Sequence, residues 1–389
     1  MSRAAFTPIA KSSNSPRKRK KYREFPIYLC RPGEIQNRGP GSDSLKIADF
    51  LSLRWTAPGQ PLIEPPSRSP VVADPSFLLP SETPDQQFHL FAHTIWGIHR
   101  FESSDGNTWT HCGLVVRFGM RPYIRRFGEL YYLYYERYPP FLMPLSWLPV
   151  PWRSRIEVRT SKDLRHWSAP IACIRPHLSW HKAFRASASV SNPCVVQVGQ
   201  KYRMYYSASL VFVPDCGFSE PAYIGIAEAE RPDGPWTCAK EPILSPDPHL
   251  PGRNMGCGSM KVMAMDDGWI GLQNGIYEEA SGDAKESDAS QRAPERPGVS
   301  QTSQSANPSV RSRSALFLLT SADGIKWDYG KTTPFLQPTS GWLRSHVYAC
   351  DFRSLDASES DWSLYFNARD DWNVFKGKER IGMVKGSTI

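Results

Sequence analysis

Three polar residues of different chemistry each stand immediately before a proline: Asp74, Arg121 and Asn192. Arg121, Asn192 and Ser259 each lie ten residues ahead of an aromatic-led, β-like segment, which opens at Tyr131, Tyr202 and Trp269 respectively. Asp74 holds the same place ahead of Phe88, with a longer reversal between. A carboxylate in such a position can exchange a proton, whereas a guanidinium or an amide cannot give one to a leaving alkoxide at neutral pH. Arg121 would keep neighbouring carboxylates ionised and favour a ligand with an anionic group, to which Lys261, His346 and Arg344 could add.

These positions recur because the chain repeats. The aromatic-led segments are FHLFAH from Phe88, YYLYYE from Tyr131, YRMYYS from Tyr202, WIGLQN from Trp269 and WSLYFN from Trp362. All five open on an aromatic and close on a polar residue: His93, Glu136, Ser207, Asn274 and Asn367. Four polar turns end in tryptophan, SSDGNTW at Trp109, SKDLRHW at Trp167, RPDGPW at Trp236 and SADGIKW at Trp327. Such turns reverse antiparallel strands, and the tryptophan can pack between neighbouring sheets. A fifth tryptophan stretch, Trp55 to Pro65, stands alone near the start, while the last repeat runs out before its final strand. The pattern predicts an all-β fold, a five-bladed β-propeller of four-stranded blades over residues 46–389. The N-terminal strand would complete the last blade, close the ring and leave no unpaired edge.

Two stretches lie outside the repeat and read as disordered: an arm over residues 1–45 and an insertion over about 280–312, rich in Ser, Pro, Gln and charge. The net charge of +9 points to nucleic acid only until it is located. Arg3, Lys11, Arg17, Lys18, Arg19, Lys20, Lys21 and Arg23, with no acid among them, supply eight of the nine charges. The rest of the chain is near neutral, so no nucleic-acid partner is expected. Eight cysteines without CxxC or zinc-ligand spacing read as isolated thiols of a reducing compartment. No apolar run suits a signal core or a membrane helix, which makes a cytoplasmic protein the expectation. The apolar stretch Phe141 to Trp152 holds three prolines and reads either as a lid or wall beside the site or as a patch packed against the basic arm or a subunit.

In a propeller the first strand of each blade lines the central channel, so the convergent set is Asp74, Arg121, Glu136, Asn192, Ser207, Ser259, Lys261, Asn274 and Asn367, with His346, Tyr348 and Asp351 from the last blade. His93 lacks the acidic cluster that a channel ion needs, and no metal or other cofactor is expected. The turns, the DPSF opening at Asp74 and the five-blade count resemble the propeller glycosidases, glycoside hydrolase families 43, 62, 32 and 68 and more distantly 130. The resemblance implies a carbohydrate ligand and, in family 43, a general base at the start of blade one, a pKa-tuning Asp in blade two and an acid opening blade three. Asp74 matches the base; Arg121 and Asn192 stand where the other two carboxyls would be.

Cleavage of a glycosidic bond requires two carboxyl groups, one to protonate the leaving oxygen and one to activate water or attack the sugar. The second must therefore come from Glu136, from Glu220 in the loop VPDCGFSEPAYIG, or, more weakly, from Asp351. Each also has a plain structural reading: Glu136 as the ion-pair partner of Arg121 or Arg137, Glu220 as a solvated loop acid, Asp74 as a strand cap. The expected function is a glycoside hydrolase or related glycan-processing enzyme, with an anionic or furanosidic sugar in view. A glycoside phosphorylase holding phosphate on Arg121 and Lys261, and a non-catalytic glycan-binding propeller, are the alternatives. The oligomeric state is not legible in the sequence.

Overall fold

The computed structural model describes residues 46–56, 59–66, 68–140, 151–184, 186–279, 311–329, 333–355, 361–373 and 375–388. The arm, most of the insertion and residues 141–150 of the apolar stretch lie outside them. A short helix, α1 (Ile47–Ser52), precedes a two-residue strand, β1 (Arg54–Trp55). Apart from short 3-10 turns, the remaining regular structure among the described residues is strand. The first sheet is β2 (Ala73–Leu78), β3 (Phe88–Thr94), β4 (Gly97–Ser103) and β5 (Thr110–Arg117), paired in that order. The second is β6 (Gly119–Phe127), β7 (Leu130–Arg137), β8 (Arg155–Ser161) and β9 (Ile171–Ile174).

The third sheet begins with β10 (Val190–Val198) and β11 (Lys201–Ala208), and resumes with β14 (Tyr223–Ala229) and β15 (Thr237–Cys238). Between its second and third strands a separate hairpin projects, β12 (Val211–Val213) paired with β13 (Phe218–Glu220). The last sheet joins β16 (Met260–Met265), β17 (Gly268–Glu279), β18 (Arg311–Ser321), β19 (His346–Ser354), β20 (Asp361–Arg369), β21 (Glu379–Ser387) and finally β1. Its β18–β19 junction is a single parallel pair, Ser314 with His346. β1 pairs antiparallel with β21, and Ile63 bridges Ile381, so the N-terminal strand does lie along the C-terminal edge.

The five aromatic-led segments all fall in second strands, β3, β7, β11, β17 and β20. The first strands β2, β6, β10, β16 and β19 each pack against the next, and β19 returns to β2. No sheet closes on itself by hydrogen bonds; side chains join the sheets. The polar turns explain how. In three of them a serine hydroxyl and an aspartate tie down the turn, as where Ser103 Oγ accepts from Gly106 N and Asp105 accepts from Asn107 and Thr108 N. The turn carbonyls then accept hydrogen bonds from neighbouring sheets: Tyr365 to Gly106, Arg100 to Leu164, Tyr134 to Pro232 and Tyr205 to Gly324. The following tryptophans fill the same seams, Trp109 against Tyr365, Trp167 against Phe91 and Trp327 against Tyr205.

Candidate active site

Each pre-proline residue sits in a bulge of its first strand, where two residues are skipped in the pairing: Asp74 between Ala73 and Ser76, Arg121 between Met120 and Tyr123, Asn192 between Ser191 and Cys194. Their φ angles are 53°, 53° and 47°. A left-handed backbone at a non-glycine residue costs about 1–3 kcal/mol and persists only where the surroundings enforce it. At Asp74 and Arg121 the side chain meets the polar end of the second strand, His93 and Glu136 respectively.

Asp74 Oδ2 lies 3.1 Å from His93 Nδ1, and its backbone N–H donates to Asn367 Oδ1 at 3.1 Å. Burial acts to raise the Asp74 pKa, but the His93 hydrogen bond and charge, with Arg121 and Lys261, outweigh it and hold the carboxyl below its ordinary value. Arg121 Nη1 donates to Glu136 Oε2 at 2.7 Å, and its Nη2 stands 3.9 Å from Glu220 Oε2. Glu136 is fully buried and takes a second hydrogen bond, from the Trp152 indole at 3.1 Å. Despite burial, Glu136, Asp74 and Glu220 together raise the Arg121 pKa, so the guanidinium is a permanent cation.

Glu220 is the unlike member. It ends β13 rather than lying in a solvated loop, and its side chain is 13% exposed. Burial pushes its carboxyl up; Arg121 opposes this, and the charges of Glu379, Asp74 and Glu136 reinforce it, leaving a pKa of about 8. At neutral pH Asp74 is therefore ionised while Glu220 keeps its proton. Two carboxyls driven apart by their surroundings, grouped around one guanidinium, can act as base and acid.

The other expected residues divide into three groups. Asn367 belongs to the site: besides Asp74 it bonds Glu379, which also pairs with Arg369. Asn192 is buried at its bulge with a long 3.5 Å contact to Ser191 Oγ. Asn274 spends its amide donors on the Val347 and Ala315 carbonyls, bracing strands. Further along the first strands a second belt forms. Lys261 Nζ donates to the Pro193 carbonyl and lies 4.8 Å from the Tyr123 ring centroid. Asp351 is held by Arg125 through two bonds of 2.9 and 2.6 Å and accepts from Ser76 Oγ and Phe77 N. It is a structural ion pair, not a spare acid.

His346 does not supply the expected positive charge: burial holds its pKa down to about 3, so it is neutral, beside Cys216 and Ser312. Arg344 is exposed and paired with Asp371. Sequence reasoning missed Arg125 and the hairpin. The alternation Arg121, Tyr123, Arg125 along β6 was the available signal for Arg125. Tyr348 is buried, and its hydroxyl has no hydrogen-bond partner among the described residues. His93, considered as an ion ligand, is the partner of Asp74 instead. Among the described residues, Asp85, His89 and Glu102 could offer a cation ligand atoms within 4.8 Å of one another, but Arg100 already pairs with Glu102.

Comparison with known proteins bears on the fold that carries these residues. The sequence model of Glycosyl hydrolases family 43 matches residues 87–250, from β3 through the Glu220 hairpin and beyond. No curated protein matches the sequence significantly. A family 117 glycoside hydrolase of Zobellia galactanivorans superposes with a TM-score of 0.52 at 14% identity, covering 87% of this chain and 91% of its own. An α-L-arabinofuranosidase of Podospora anserina gives 0.51 at 12%, covering 86% and 97%. An N-acetylgalactosamine deacetylase from F. plautii gives 0.55 at 13%, covering 86% and 96%. The fold is that of the β-propeller glycosidases. The resemblance drawn from the turns and the DPSF opening holds at the level of the whole fold, and the family 43 match spans the sheets that carry Glu136 and Glu220.

Proposed function

We propose that the chain is a glycoside hydrolase whose site lies at the mouth of a five-bladed propeller, with Glu220 as general acid and Asp74 as its ionised partner. The observation that carries this is the grouping of two largely buried carboxyls about Arg121, Glu220 at 3.9 Å from its Nη2 and pushed up by burial, Asp74 against His93 and held down by it. Glu220 gives its proton to the glycosidic oxygen as the bond to the anomeric carbon breaks. Asp74 either takes a proton from the attacking water or attacks that carbon itself; the separation between the carboxyls selects which. Glu136 stays on Arg121 and Trp152 and fixes the guanidinium between the two working groups.

The five-blade count is supported by the cyclic packing of β2, β6, β10, β16 and β19, and by inter-sheet bonds at successive turns. Residues 46–389 make up the propeller in this reading, with residues 1–45 and about 280–312 as appendages.

Arg121 does not recommend an anionic sugar. Its charge is engaged by Glu136 and faces Glu220 and Asp74, so an added anion would meet carboxylates. An uncharged glycan suits the site better. Phosphorolysis loses support for the same reason, since Lys261 is committed to Pro193 and Tyr123. A purely binding propeller has no use for a carboxyl kept protonated at neutral pH, at a cost in stability that builds up from about pH 4.5 to about pH 8.

The test is turnover of uncharged oligosaccharides and aryl glycosides, read as release of reducing sugar. Asp74→Asn and Glu220→Gln should each lower kcat by about 10²–10⁴-fold on a natural linkage. Full activity in both variants on a glycan that the wild type cleaves would remove the assignment.

A further inference from the structure

Glu220 is delivered by an element that its own sheet does not hold. Among the described residues the hairpin β12–β13 pairs only with itself, and an isolated two-stranded hairpin is marginal at best in water. Its stability must come from where it lands. Val213 and Cys216 bury with Ile276, packed by Phe218, Met255 and Trp372. The Phe218 ring sits 6.2 Å from His346 and 6.5 Å from Tyr348, under the Arg369 guanidinium at 5.8 Å.

The polar contact at the tip is more specific. Asp215 accepts two hydrogen bonds from one residue across the molecule, Ser312 N at 2.8 Å on Oδ2 and Ser312 Oγ at 2.7 Å on Oδ1. Ser312 is 2% exposed, and its carbonyl takes the Trp372 indole at 2.8 Å. Cys216 Sγ lies 3.5 Å from both Ser312 Oγ and His346 Nε2. Without Asp215, the buried Ser312 N–H would lose its acceptor and the hydroxyl would keep only its longer contacts to His346 and Cys216, a penalty relieved most simply by the tip lifting and admitting water.

On the reading that Glu220 is the general acid, we infer that Asp215 is its positioning residue: the two-bond clamp on Ser312 fixes the tip of the hairpin, so that Glu220 at its other end is held against Arg121. Glu220 is faced by Arg121 from β6, Glu136 from β7, Asp74 from β2 and Glu379 from β21. A lifted tip would let water reach that group, rotate the carboxyl off the leaving oxygen, and leave the other groups in place.

The test uses the dependence of acid catalysis on the leaving group. A 4-nitrophenyl glycoside departs with little help, whereas an alkyl glycoside of the same sugar needs the proton. Glu220→Gln should lower kcat/KM about 10²-fold or more on the alkyl glycoside and far less on the aryl one. Asp215→Ala should show the same selective loss, about tenfold on the alkyl substrate, with its alkaline limb moved to lower pH. Asp215→Asn should recover most of the loss, because the amide oxygen still accepts from Ser312 N. Ser312→Ala, which removes one of the two bonds, should lose less in the same direction, guarding against misfolding of the Asp215 variant. Hydrogen exchange over residues 211–220, which needs no substrate, should rise in Asp215→Ala. Equal loss on both substrates, or unchanged exchange, overturns the clamp while Glu220→Gln still discriminates. If Glu220→Gln shows no discrimination, the acid assignment falls and this inference with it.

Discussion

The raised pKa of Glu220 makes a prediction that requires no knowledge of the substrate. Below about pH 4.5, its ordinary value, the carboxyl is protonated in folded and unfolded chains alike; above about pH 8 it is ionised in both. Between these limits the unfolded chain ionises and the folded chain does not, so stability falls as pH rises. The slope is about 1.4 kcal/mol per pH unit for one proton, and the full loss is on the order of 5 kcal/mol. Glu220→Gln removes the ionisation and keeps the shape. Wild type and variant should therefore have equal unfolding free energies near pH 4 and diverge steadily, with the variant more stable by several kcal/mol at pH 9. Urea denaturation at pH 4, 6, 7.5 and 9, followed by tryptophan fluorescence, measures the difference directly. Parallel curves for the two proteins would show that Glu220 titrates normally in the fold, and the reasoning from its burial would be wrong.

Three further outcomes follow from other contacts. Arg125→Met leaves Asp351 buried without its cation and should destabilise the fold by about 3–5 kcal/mol in denaturant unfolding, whereas replacing both by apolar residues should recover much of that. Tyr205→Phe and Tyr365→Phe each remove a bond to a turn of the adjoining sheet and should cost about 1 kcal/mol apiece, by the same measurement. His93→Phe takes away the hydrogen bond and charge that hold Asp74 down; the acid limb of kcat/KM should move to higher pH while the alkaline limb set by Glu220 stays.

The sheet elements were legible because their signals are local. An aromatic-led strand between polar turns declares itself within a few residues, and the detached Trp55 segment had one vacant edge to fill, the one beside Glu379–Ser387. Asp74 was legible by its place before a proline at a strand start. The proposed acid was ambiguous because its chemistry comes from distant residues. Nothing near Glu220 in sequence reveals that its hairpin crosses to Ser312 and Ile276, or that burial there lifts its pKa. Arg121 was read as an anion receptor because Glu136 and Glu220, which consume its charge, approach only in the folded chain. Asp351 looked like a spare carboxyl for the same reason: Arg125, its partner, is 226 residues away. His346 lost its expected charge to burial, a property that no spacing in the sequence encodes.

The central claim is that Asp74 and Glu220 hold opposite protonation states at neutral pH and divide the work of cleaving a glycosidic bond. The pH dependence of kcat/KM on an alkyl glycoside that the protein turns over tests it most directly. The prediction is a plateau through the neutral range, an alkaline limb near pH 8 and an acid limb below the ordinary range of Asp, with the alkaline limb abolished by Glu220→Gln. An alkaline limb that persists unchanged in Glu220→Gln, at undiminished activity, would contradict it.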